Sequence, residues 1–345
     1  MNIREGIGKV VTGENLTEEE MVGVMGDIMG GDATEAQIGS FITALSMKGE
    51  TVDEIVGAAR VMREKATRVN TGVDTAGGED LFEVVGTGGD CTGTFNVSTC
   101  TSFVVAAAGV PVAKHGNRSI SSKCGAADVL EALGVNLGLN AEQVGESVRK
   151  VGIGFLFAPN LHSAMKYAAG PRKQLGIRTV FNILGPLTNP AGANVQLSGV
   201  FDKNLTRPLA EVMVRLGAKR IIFAWGEGGI DELTVTGTTW IAEGKDGRVQ
   251  EYSIEPEDLG LGRWSLADIQ GGATAAESAQ LLRDVLSGAT GARRDMVLMN
   301  AAYGLMMLNR AVDPQAGVKL AAELIDSGAA LKKVEELAAF SRAHG

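Results

Sequence analysis

Absences bound this chain before any motif does. Among its 345 residues are three cysteines, Cys91, Cys100 and Cys124. The count is odd and the spacing unlike that of metal ligands, which argues against a disulfide framework or a thiolate-held metal. Positive charge is scarce: 32 Lys and Arg stand against 41 Asp and Glu, a formal net charge of -9. The broad positive field that non-specific nucleic-acid binding needs is therefore missing, and an anionic substrate has to be met by a local basic patch. No apolar run approaches the roughly 20 residues of a membrane span, and residues 1–20 lack the apolar stretch of a secretory signal. The expectation is a soluble, cytoplasmic protein with neither nucleic-acid nor membrane partners. Nucleotide signatures are also absent. No Gly-Lys-Ser/Thr follows the Gly-rich segment at Gly86, and Cys91 stands where a dinucleotide fingerprint needs its third glycine.

What is present divides the chain. Its length exceeds what one core usually serves, so two domains are expected. Residues 1–70 carry three capping boxes, Thr17 with Glu20, Thr34 with Gln37 and Thr51 with Glu54. In each, the Thr oxygen accepts from the N3 amide while the N3 side chain reaches back, which predicts three helix starts. Met21, Met25 and Ile28 give the first helix an apolar stripe, as Ile38, Phe41, Ile42 and Leu45 do the second, and Gly30-Gly31 and Gly49 end them. This block reads as a small all-helical domain whose stripes form either an internal core or a dimer surface.

From residue 71 the rhythm changes to alternating strand and helix. Strands are expected at 81–85, 110–113, 153–157, 196–200 and 220–224, with 238–242 antiparallel near an edge. Helices are expected at 98–108, 126–133, 142–150, 204–216, 275–286, 293–308 and near the C-terminus. Residues 71–345 thus form a large α/β domain with a mostly parallel central sheet flanked by helices. A basic segment at 162–185, with His162, Lys166, Arg172, Lys173 and Arg178, interrupts that pattern and is expected to return to the helical domain and line the cleft.

Polar chemistry gathers in three places. Residues 114–125 hold Lys114, His115, Asn117, Arg118, Ser119, Ser121, Ser122 and Lys123 between a buried strand and a helix start, where unpaired N–H groups favour an anion. Upstream, Gly86-Thr87-Gly88-Gly89-Asp90 permits close backbone approach and leads to Asn96, Ser98 and Thr99 at another helix start. Asp90 would repel a bare phosphate and suits a sugar hydroxyl, an amine or a metal. Asp231-Glu232 follows a strand-like segment and suits Mg²⁺, which takes one or two carboxylates together with phosphate oxygens and water.

In order and context, these segments and Arg178-Thr179-Val180-Phe181-Asn182-Ile183-Leu184-Gly185-Pro186-Leu187-Thr188-Asn189-Pro190 resemble the anthranilate phosphoribosyltransferases. The resemblance implies a helical domain, an α/β domain and a cleft between them, a fold shared with pyrimidine nucleoside phosphorylases. It implies transfer of phosphoribose from phosphoribosyl pyrophosphate to the amine of anthranilate in tryptophan biosynthesis, with Mg²⁺, in a homodimer formed through the helical domain. Carried over residue by residue, the donor site comprises Gly86, Gly89, Asp90, Thr94, Asn96, Val97, Ser98, Thr99, Lys114, His115, Gly116, Asn117, Arg118, Ser119, Ile120, Ser121, Ser122 and Ala126. Ala126 departs from the Ser of many members. Anthranilate would meet Gly86, Asn117, Arg172, His115 and His162, and magnesium Ser98, Asp231 and Glu232. His115 either assists proton removal or packs against the ring. Two other readings remain open: a pyrimidine nucleoside phosphorylase, which should carry a Lys beside the glycines, and a non-enzymatic nucleic-acid-binding relative, which should be basic.

Overall fold

The computed structural model describes residues 1–89, 92–118 and 124–345. Four helices open the chain: α1 (Ile3–Val10), α2 (Glu18–Gly30), α3 (Glu35–Lys48) and α4 (Val52–Lys65). The three expected capping boxes are all formed. A fourth, Asn2 with Glu5, starts α1, which the sequence reading missed. Gly31 stops α2 at φ 85°, a left-handed position that a Cβ disfavours.

Then follow β1 (Phe82–Gly86), α5 (Val97–Ala107), β2 (Val112–Gly116), α6 (Ala126–Ala132), α7 (Ala141–Val151) and β3 (Ile153–Phe157). After β3 comes the short α8 (Ala158–Leu161), and the basic segment is broken into α9 (Lys166–Leu175) and α10 (Phe181–Leu184). Next are β4 (Val195–Gly199), α11 (Thr206–Arg215), β5 (Arg220–Gly226), β6 (Thr239–Lys245) and β7 (Arg248–Ile254). The chain ends in α12 (Ala275–Leu286), α13 (Ala292–Met307), α14 (Pro314–Asp326) and α15 (Ala329–His344).

The sheet has seven strands in the order β3-β2-β1-β4-β5-β6-β7. Its first five strands are parallel, and β6 and β7 are antiparallel. The last hairpin turns at Asp246 (φ 51°) and Gly247 (φ 75°), the two successive positive-φ positions that Asp-Gly supplies best. β7 was not expected, although this dipeptide signals it. A second correction matters more for function: Lys114, His115 and Gly116 belong to β2 and not to a loop. They pair with β3 from Lys114↔Phe155 to Gly116↔Phe157, and the pairing draws both polar side chains into the interior.

The apolar stripes of α1 to α4 are buried in a core shared with α10, α11 and the Ile221 and Phe223 side chains of β5. α9 packs on α3 and α2. The other sheet face and α5, α13 and α15 enclose the larger core. The result is a small helical domain beside an α/β domain with a mostly parallel sheet flanked by helices.

Glu54 ties the helical layer together. It is fully buried and its carboxylate accepts from Leu16 N (2.9 Å), Thr51 N (2.7 Å) and Lys48 Nζ (2.9 Å). Removing one partner of a buried ion pair strands the other, at about 3–5 kcal/mol. Glu54→Ala is therefore expected to lower unfolding stability by about 3 kcal/mol in urea titration. A change under about 1 kcal/mol would show that the network is not a structural tie.

Candidate functional site

The strand order fixes where a site can form. β1 leads through α5 to β2 and β3 on one side, whereas β4 and β5 lie on the other. Connections that leave a parallel sheet in opposite directions open a crevice at the strands' carboxyl ends. At this switch point Gly86 of β1 and Gly199 of β4 are register partners. Asp231 rests on them. A Cβ on Gly86 would sit 2.3 Å from Asp231 Oδ2, and one on Gly199 would sit 1.4 Å from the Asp231 carbonyl oxygen. Glycine at both positions is thus required by contact, not by turn geometry. Asp231 reaches this seat because β5 turns back tightly, with Gly226 N donating to Ile230 O at 2.8 Å.

The Gly-rich loop is held from beneath. Thr87 N donates to Gly199 O (3.0 Å), Phe201 N to Thr87 Oγ1 (3.2 Å), and Gly88 N to Asp231 Oδ2 (2.7 Å). Gly88 (φ 69°) and Gly89 (φ 75°) take backbone shapes that side chains resist. The loop runs on to α5, whose first amides have no side-chain cap. Val97 and Thr99 are buried there, and Thr94 bridges to Gln270. Asn96 Nδ2 donates to Cys124 O (3.2 Å), so the two sequence-predicted loops touch. Gly116 lies close against Ala126, and Ala127 N donates to Asn117 O. Asp90, Cys91, Ser119, Ile120, Ser121, Ser122 and Lys123 lie outside the described residues.

Lys114 is buried and donates to Val84 O (2.9 Å), with Ser98 Oγ at 3.4 Å. Burial pulls its pKa down, while Glu83, Glu232 and Asp231 push back. Glu83, fully buried one strand away, is raised well above the ordinary carboxylate range by desolvation. Its Oε1 accepts from His115 N at 3.2 Å. Sequence reasoning missed Glu83, which its place within an otherwise apolar buried strand could have flagged. Arg118 is exposed, and its guanidinium is held by Asp128 and Glu131 (both 2.9 Å).

His115 and His162 come together, with ring centroids 5.1 Å apart and both Nε2 atoms buried without a hydrogen-bond partner. Desolvation chiefly, then the charges of His162 and Lys114, depress His115 to about 3, and burial depresses His162 to about 4. Both are neutral at physiological pH. Arg172 is half-buried on α9, its guanidinium carbon 5.4 Å from the Phe181 ring centroid, and burial lowers its pKa. Among the described residues no group of three or more His, Cys, Asp or Glu side chains is arranged to hold a metal alone. A cavity of about 480 Å³ lined by Asp80, Val110, Arg149 and Arg310 lies at the opposite ends of the strands and contains none of these residues.

Residues 4–66 match the glycosyl transferase family, helical bundle domain, and residues 78–331 the glycosyl transferase family, a/b domain. The anthranilate phosphoribosyltransferase of Desulfotalea psychrophila is 61% identical, with 99% of this chain and 97% of that protein covered. That of Geobacter sulfurreducens is 56% identical, covering 97% and 98%. The chain belongs to the anthranilate phosphoribosyltransferase family. A solved family member from Thermus thermophilus superposes with a TM-score of 0.91 at 43% identity, covering 98% of this chain and 99% of that one. The Saccharomyces cerevisiae family member, solved in complex with PRPP and Mg, gives 0.85 at 27% identity, covering 99% and 98%.

The histidine pair generates a pH prediction. A histidine whose folded pKa is depressed binds its proton in the unfolded chain first, so its contribution is complete above about 6.5 and is lost as pH falls through the window down to about 3–4. Glu83 acts in the opposite sense, but it is common to wild type and variant. The melting temperature of the wild type is therefore expected to fall more steeply between pH 6.5 and 4.5 than that of a His115→Gln/His162→Gln variant. Parallel curves would mean that the pair is not buried neutral.

Proposed function

We infer that this protein transfers the 5-phosphoribosyl group of phosphoribosyl pyrophosphate to the amine of anthranilate, releasing pyrophosphate, as an enzyme of tryptophan biosynthesis. The observation that carries the reading is the seating of Asp231 on Gly86 and Gly199 at the switch point, beside Lys114 and the uncapped start of α5. The family names of the relatives support it, as do the yeast family structures with PRPP and Mg and with 4-fluoroanthranilate.

The residues fit magnesium as a cation carried with the donor. Asp231, Glu232 and Ser98 offer hard oxygens, while the described residues do not complete a metal cage, so phosphate oxygens and water must supply the rest. When bound, the metal would neutralise charge gathering on the departing pyrophosphate. Lys114 adds a cation there, and the first amides of α5 orient the phosphates. The bond from the anomeric carbon to pyrophosphate oxygen breaks with its electron pair leaving on oxygen. The amine nitrogen then bonds to that carbon and sheds a proton. An aromatic amine is neutral at pH 7, so no strong base is needed. His115 and His162, depressed to about 3 and about 4, are accordingly weak bases that position the acceptor ring. Arg172, packed over the Phe181 ring and with no carboxylate bound to it among the described residues, meets the anthranilate carboxylate with a planar fork, and Asn117 and Gly86 complete that subsite.

The two domains divide near residue 70, with the 162–185 segment joined to the helical one. Cytoplasmic operation and a homodimer through the helical domain belong to the same proposal. Free thiols at Cys100 and Cys124 support the first, and exposed Val11 and Met47 on the helical surface support the second.

Mixing the protein with Mg²⁺, anthranilate and phosphoribosyl pyrophosphate is expected to quench anthranilate fluorescence, and persistence of the signal would refute the reading. Phosphorolysis of thymidine or uridine in its place would favour a nucleoside phosphorylase. Asp231→Asn/Glu232→Gln keeps size but removes both charges, and its turnover should fall by about 3 kcal/mol of transition-state stabilisation, with weakened Mg²⁺ dependence. Wild-type turnover in that variant would exclude the metal assignment. Arg172→Ala should raise KM for anthranilate and leave that for the donor nearly unchanged, whereas Lys114→Ala should do the reverse and also lower kcat. Equal effects of Arg172→Ala on both constants would point to a general role in closing the cleft.

A further inference from the structure

Arg178 lies in the basic 162–185 segment, between α9 and α10. It follows Gly176, the left-handed stop of α9, and precedes α10. Three contacts define it. Its carbonyl oxygen accepts from Ser46 Oγ on α3 at 3.2 Å. Its guanidinium carbon lies 4.0 Å from the ring centroid of Phe201, just past β4. Its Nη2 donates to the carbonyl oxygen of Gly89, in the Gly-rich loop. One side chain thus spans the helical layer, the exit of β4 and the proposed donor loop.

The contacts are not core packing, because Arg178 is exposed. They bear on a segment whose left-handed glycines adopt backbone shapes that side chains would resist. Gly88 and Gly89 carry no side chain to restrain them, and the carbonyl of Gly89 is the acceptor that Arg178 holds. Thr87 and Gly88 are anchored to Gly199, Phe201 and Asp231 on the α/β side. Arg178 reaches the same loop from the other side. Six residues upstream, on α9, stands Arg172 against Phe181.

We propose that Arg178 is a latch that couples the two substrate subsites, joining the Gly89 carbonyl of the donor loop to the α9 to α10 segment that presents Arg172. The proposal rests on the phosphoribosyl-transfer reading. A donor whose phosphates order the loop fixes the Gly89 carbonyl, and the carbonyl fixes Arg178 and with it the end of α9. Anthranilate then binds a segment already in place. Coupling of this kind is reciprocal: whatever factor the donor side adds to anthranilate affinity, anthranilate returns. Arg178 is a positioning residue and takes no part in bond making.

The test uses full-length protein and a donor-side probe that cannot react, inorganic pyrophosphate with Mg²⁺. Anthranilate affinity is read from its own fluorescence with and without that probe. In the wild type, pyrophosphate is expected to tighten anthranilate binding about fivefold or more, the lower end of ordinary coupling between sites. Arg178→Ala should bring that ratio close to one while leaving anthranilate affinity without pyrophosphate nearly unchanged. Arg178→Lys, which retains a donor but not the planar contact with Phe201, should give an intermediate ratio. Ser46→Ala, which frees the backbone end of the latch, should lower the ratio and add little to Arg178→Ala when the two are combined. A wild-type ratio near one, or an equal ratio in wild type and Arg178→Ala, would overturn the latch. Turnover of anthranilate by the same preparation separates the two claims: with turnover intact, only the latch has failed, and without turnover in the wild type the functional reading falls with it.

Discussion

The site depends on one close approach, that of Asp231 to the ends of β1 and β4. Two backbone segments can meet a carboxylate-bearing residue this tightly only where neither carries a side chain, and Gly86 and Gly199 stand opposite one another in the parallel register. The consequence is electrostatic as well as steric. The carboxylate is buried at the switch point, takes the Gly88 amide as a donor, and lies within reach of the field of Lys114. Any larger residue at either glycine would lift the acid out of this seat and unfasten the loop above it.

An acidic protein can serve an anionic donor because its positive charge is concentrated, not spread. Lys114 is buried and borders on three acidic groups, so its charge is dearly held and strongly felt. The neighbouring histidines are kept neutral by the same desolvation, so neither adds charge to the crevice near neutral pH. Arg118 shows the opposite arrangement. It is exposed and committed to Asp128 and Glu131, and those bonds raise its pKa further.

The helical layer serves the site by position. Its apolar stripes are satisfied internally and against α11 and β5, which keeps α9 fastened to α3 and α10 to α4 while the Gly-rich loop stays fastened to β4. The cleft therefore lies between two bodies with separate anchors, and a residue such as Arg178 that touches both has leverage out of proportion to its buried area.

By itself the sequence determined most of the secondary structure and the chemistry of the site. Capping boxes mark helix starts through local hydrogen bonds between residues three apart, and the parallel strands are mostly apolar because both of their faces are covered, so both signals are local. Polar motifs could be picked out because their residue types suit phosphate and magnesium before any fold is known. Tertiary structure alone decided the rest. That Lys114 and His115 are strand residues, that His115 meets His162, and that Glu83 lies beneath them follow from pairing across β1, β2 and β3, which no short stretch encodes. The need for glycine at Gly86 and Gly199 is equally invisible in sequence, because the atom that forbids a side chain belongs to Asp231, more than thirty residues from Gly199 and far further from Gly86, and only the fold brings it there.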